Sequence, residues 1–137
     1  MTSDEARYRL ALAKGHLEEA RQDLQLGRWR SCASNSQLAA ENAAKAVLAL
    51  IGPVGRTHEP GDILLQALEE GRFPDTIRVQ VRRIAECAER LGPEVHIRSA
   101  YGDEANLRTP WGTFRRAQGT GSVRSCRGIS APVSRTG

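Results

Sequence analysis

Residues 29–51 read WRSCASNSQLAAENAAKAVLALI. The stretch holds no Pro and no Gly, and its second half is mostly Ala and Leu, the strongest apolar helix formers. Trp29, Ala33, Ser36, Ala40, Ala43, Val47 and Leu50 follow one another at alternating four- and three-residue steps. That spacing draws one stripe along a helix. Most of the stripe is small, so a neighbouring helix can come close. Gly52-Pro53 is the stop: Gly suits the left-handed position after a last turn, and Pro cannot continue a helix. A long helix of small residues has to be surrounded. The stretch is therefore read as the central element of a helical bundle.

Working outward toward the N-terminus, Thr2-Ser3-Asp4 offers caps for a helix from about Asp4 to Leu26. Leu10, Ala13, Leu17, Ala20 and Leu24 repeat as a bundle seam, and Glu18, Glu19, Arg21, Gln22 and Asp23 are placed on the opposite side. Gly27 ends this helix, and so short a link to the next makes the two an antiparallel hairpin. On the other side, residues 52–60 (GPVGRTHEP) read as a loop. Asp62 is expected to cap a short helix from Ile63 to Glu70, with Ile63, Leu64, Ala67 and Leu68 inward and Gly71 as its stop. Pro74 or Asp75 opens a fourth helix that reaches Leu91, with Ile77, Val81, Ile84, Ala88 and Leu91 as its apolar stripe. Residues 92–108 are expected to be irregular. Thr109-Pro110-Trp111 then has the form of a helix start, Thr as cap and Pro in the first position, but no helical pattern follows it.

The expectation is thus an all-α, up-and-down antiparallel bundle of four to five helices over residues 1–116. An irregular tail over residues 117–137 is rich in Gly, Ser, Thr and Arg. Its only large aliphatics are Val123, Ile129 and Val133, too little apolar surface to offset the entropy of ordering, so it is read as disordered or loosely attached.

The chain of 137 residues is enough for one domain, and 39% hydrophobic with 26% charged residues fits a globular protein. Aromatics are only 4%, so the core must be mainly aliphatic. The net charge of +4 is misleading. The tail carries Arg124, Arg127 and Arg135 and no acid, which leaves the bundle close to neutral and weakens any argument for a broad nucleic-acid surface. The three cysteines, Cys32, Cys87 and Cys126, are odd in number and lack CxxC spacing, which argues against zinc and against a disulfide framework. No apolar run has membrane-spanning length and no signal peptide is evident, so a cytoplasmic protein is expected, with no metal or cofactor.

The amphipathic AKGHLEEARQDLQLGRW is followed by the small-residue helix SNSQLAAENAAKAVLALIG. A loop with Thr57-His58 precedes the apolar Ile63-Leu64-Leu65, and HIRSAYGDEANLRTPW comes last, with Tyr101, Asp103 and Thr109-Pro110-Trp111. In this order and spacing the chain resembles the HEPN domain of prokaryotes, over about residues 4–116. It departs in two places. Ala100 stands where many relatives carry an Arg before the Tyr, and the tail stands where the family has a long closing helix. The tail is therefore read as a replacement of original domain sequence. Losing such a helix would uncover Leu-sized side chains at about 1.5–3 kcal/mol each, against a domain's margin of ~5–15 kcal/mol, so association is the natural remedy. The resemblance implies a homodimer, with a minimal nucleotidyltransferase as partner in a toxin–antitoxin module and a nucleotide or RNA as ligand.

Catalytic members of the family are ribonucleases with an Arg, four to six residues, then a His. Arg90 and His96 have that spacing. The His would act as acid or base on an RNA 2′-hydroxyl and the Arg would hold the phosphate. Leu91 follows the Arg where the nuclease form has a polar residue, so the ordinary account of Arg90 as a helix-end charge and His96 as a loop residue is preferred. Metal-independent ribonuclease activity is the alternative. Gln37, Glu41 and Lys45 line one face of the central helix at steps of four, with Asn42 adjacent and His58 in the loop beyond. They read either as i,i+4 support worth ~0.2–0.5 kcal/mol, or as a polar seam in a groove or interface, where buried polar groups need partners. The favoured function is a non-enzymatic interaction module.

Overall fold

The computed structural model describes residues 3–115. Helix α1 spans Asp4–Gln25 and α2 Trp29–Leu48. Then follow α3 (Pro60–Glu69), a 3-10 turn (Asp75–Ile77), α4 (Arg78–Arg90), α5 (Pro93–Tyr101) and the single turn α6 (Pro110–Thr113). No strand occurs among the described residues; Asp103 and Arg108 form one isolated bridge. The all-α bundle is as expected. The tail expectation for 117–137 lies outside the described residues.

Helix α1 starts on Ser3, whose side chain accepts from the Ala6 N–H (3.0 Å). It ends on Gly27 at φ 71°, with Gly27 N donating to Leu24 O and Arg28 N to Asp23 O. These two bonds satisfy carbonyls that the helix end leaves open. Gly71, at φ 70°, repeats the motif after α3 through Arg72 N to Ala67 O. The short turn at Gly27 folds α1 back along α2, and α2 in turn contacts every other α-helix. Ala33, Ala40 and Ala44 on α2 are completely buried. The main core joins Ala39, Ala40, Ala44 and Leu48 of α2 to Leu64 and Leu68 of α3, Phe73, and Val81, Ala85, Ala88 and Leu91. Small residues place the helices close enough for the few large ones to interlock.

Several expectations are corrected. Residues 92–108 are not irregular throughout, because α5 occupies Pro93–Tyr101. Pro93 sits in the first turn of α5, where its missing N–H costs no bond. Helix α3 begins at Pro60 for the same reason, two residues before the expected cap, so Asp62 lies in its first turn. Leu10, Leu50, Ile63 and Ile77, expected to face inward, are exposed; Leu50 lies beyond the end of α2 and Ile77 in the 3-10 turn. The expected seam of α1 holds at Ala13, Leu17 and Ala20 and extends to Ala6, whereas Asp23, expected outside, is buried. Gly102 closes α5 at φ 78°, ψ −150°, a conformation essentially restricted to Gly. A Cβ there would lie 2.7 Å from Thr109 C and 2.8 Å from Pro110 N.

Candidate functional site

Gln37, Glu41 and Lys45 lie on successive turns of α2, so their side chains share one edge. Gln37 Nε2 donates to Glu41 Oε2 (2.9 Å), and Lys45 Nζ pairs with Glu41 Oε1 (3.0 Å). His58 Nδ1, reaching in from the loop before α3, is 3.6 Å from the same Oε1. The row is buried: Gln37 is 3% exposed and Lys45 9%, whereas the His58 side chain is 88% exposed. Burial pushes the Glu41 carboxyl up, but the Gln37 amide, the Lys45 ammonium and His58 outweigh it, and its pKa falls below the ordinary value. Glu41 is thus an ionised carboxylate at neutral pH, clamped on both oxygens. Gln37 Oε1 is buried and accepts no hydrogen bond among the described residues.

Asn42 is adjacent in sequence but turns toward α1. Its Oδ1 accepts from Arg9 Nη1 (3.3 Å) on α1, and its Nδ2 donates to Leu38 O (2.9 Å). The structure therefore brings together Gln37, Glu41, Lys45 and His58, and separates Asn42 from them.

Arg90 is exposed in the last turn of α4, and His96 is exposed on α5 beyond the Leu91-Gly92 turn. No hydrogen bond or ion pair joins them. His96 is on a helix, not in the loop expected for it, because of the added α5. Among the described residues no group of three His, Cys, Asp or Glu side chains could hold a metal ion. The thiols of Cys32 and Cys87 are buried, and burial pushes each up to about 11, so both stay protonated and weakly nucleophilic.

Two arrangements escaped the sequence reading. Asn35 on α2 donates through Nδ2 to the buried Asp23 Oδ2 (2.9 Å), and its Oδ1 meets His16 Nδ1 (3.1 Å). Arg30 spans from α2 to the far corner: Nη1 donates to Ser99 O (2.9 Å), and its guanidinium lies 5.5 Å from the Trp111 ring centroid. The only signal for either was a polar residue beside buried alanines on α2.

A HEPN domain family model matches residues 6–118, the greater part of the chain. This chain belongs to the HEPN family. No curated protein and no solved structure matches it. In this HEPN domain the Tyr101–Trp111 segment is a corner closed by Asp103, which accepts from Asn106 N (3.2 Å) and Asn106 Nδ2 (2.8 Å). Thr109 caps α6 by accepting from Gly112 N (3.2 Å). Among the described residues no helix is long and apolar enough to cross a membrane.

Proposed function

We propose that this HEPN domain is a non-catalytic interaction module that associates with itself and with a minimal nucleotidyltransferase, as a component of a cytoplasmic toxin–antitoxin pair. The carrying observation is the seam on α2. Glu41 and Lys45 are already paired within one helix, while Gln37 Oε1 is a buried acceptor still lacking a donor. Buried polar atoms in native proteins are nearly always paired. A donor from a second chain, or from a nucleotide base, would complete the seam. Sedimentation across a concentration range tests the association: a dimer is expected, and a stable monomer at micromolar protein would overturn that part. Co-purification with a minimal nucleotidyltransferase expressed from the same operon tests the partner.

One observation favours the ribonuclease alternative. Arg90 and His96 are both exposed and flank a two-residue turn, so an RNA strand could reach both. Cleavage of RNA in EDTA, abolished by His96→Ala, would establish it. Cleavage unchanged in that variant would remove His96 from the reaction.

A further inference from the structure

The loop between α2 and α3 builds a second site that shares no residue with the Gln37–Lys45 seam. A cavity of about 340 Å³ opens there. Leu48, Ile51, Val54 and Ile63 give it apolar walls, and Arg56 and Arg72 stand beside them. No acidic side chain lines it. Arg72 is held in place, since Nη2 donates to Ile51 O (3.1 Å), which leaves the other guanidinium N–H groups available. Arg56 has no hydrogen-bond or ion-pair partner among the described residues. Gly52, Val54, Gly55 and Arg56 all line the cavity, and none of their N–H groups donates to an acceptor among the described residues.

Two cations and an absence of carboxylates select a negative ligand. Aliphatic walls select an apolar body attached to it, and the volume is at the small end of ligand pockets. We propose that this cavity binds a small organic anion, with a phosphate or carboxylate head met by Arg56 and Arg72 and a short apolar body against Leu48, Ile51, Val54 and Ile63. The site does not depend on whether the domain dimerises or cleaves RNA.

Titration calorimetry of the full chain with hexyl phosphate, hexanoate and inorganic phosphate tests it. At least one of the two hexyl anions should saturate, about tenfold or more tighter than inorganic phosphate, since burial of two methylene groups already supplies that factor. Which hexyl anion is tighter identifies the head group. Arg56→Gln should weaken binding about tenfold, and Arg56→Gln with Arg72→Gln more, as loss of charge-assisted contacts requires. Arg56→Gln alone suffices if the double variant loses its helical circular dichroism, because Arg56 makes no contact that folding needs. Failure of both hexyl anions to saturate at millimolar concentration would overturn the proposal. So would affinity indifferent to Arg56, or inorganic phosphate binding as tightly as hexyl phosphate.

Discussion

Two polar seams leave the same helix and end differently. On one side of α2, Asn35 ties the buried Asp23 to His16, both on α1, so every link crosses between helices. On the other, Gln37, Glu41 and Lys45 bond along α2 itself; only the exposed His58 comes from elsewhere, and Gln37 Oε1 stays unpaired. Each seam has a buried member, Asp23 in the first and Gln37 and Lys45 in the second, and both sit beside alanines. The first uses polarity to fix how α1 registers on α2. The second contributes little to register, because its bonds form in any α-helix with this sequence. Its burial is not explained by register, and the proposed partner or ligand would account for it. A closed network is structural; an open one is where a partner or ligand would act.

The sharpest way to break this comparison is Asn35→Ala. The substitution strands the Asp23 carboxylate, which is 7% exposed, with its side-chain hydrogen bond gone. A loss of about 3 kcal/mol is expected, since an uncompensated buried charge costs more than a neutral bond. Urea unfolding followed by circular dichroism measures it. A loss below ~1 kcal/mol would mean that Asp23 is hydrated and that the first seam is no more closed than the second.

Lys45→Met tests the second seam by the same readout. Glu41 keeps the Gln37 amide and gains no clash, so the loss should be smaller, about 2 kcal/mol. A loss as large as that of Asn35→Ala would make the Glu41–Lys45 pair structural as well and would remove the distinction.

The pH dependence sharpens the point further. The folded-state pKa of Glu41 is depressed, so its contribution to stability is present in full above the ordinary glutamate value of 4.5 and is lost as pH falls through the lower folded value. The stability gap between the native chain and Glu41→Gln should not narrow until the pH falls below about 4.5. A gap that closes already near pH 6 would mean a raised pKa and a carboxylate dominated by burial.

Legibility followed periodicity. Helices α1, α2 and α4 announce themselves through apolar spacing, and Gly27 marks the end of α1; α2 stops at Leu48, ahead of Gly52, which does not take the left-handed conformation expected of it. The helix α5 was hidden because Val95, Ile97, Ser99 and Tyr101 alternate in steps of two, and because Pro93 reads equally as a stop or as a first-turn residue. What holds α5 is non-local: Val95 against the core and Arg30 on Ser99 O. In the candidate site, the step of four from Gln37 to Lys45 was plain. The burial of Asp23 was not, since it depends on how α1 registers against α2, and a lone acid on a helix reads as outward-facing. Asn42 was misgrouped because adjacency in sequence places residues about 100° apart on a helix.

The smallest change in stability, and the most telling, is expected for Gln37→Leu. The substitution removes the donation to Glu41 Oε2 but also removes the unpaired Oε1, and leucine is of similar size. Loss and gain are each of the order of 1 kcal/mol, so unfolding of the isolated chain should move by no more than ~0.5 kcal/mol. Self-association, followed by sedimentation, should weaken by about tenfold if a second chain supplies the missing donor, since one such bond is worth about that factor. The two readouts separate the accounts. A large loss of stability with unchanged association would make Gln37 a core residue like Asn35, and the contrast between the seams would vanish. Stability held and association weakened would place the open seam at the interface.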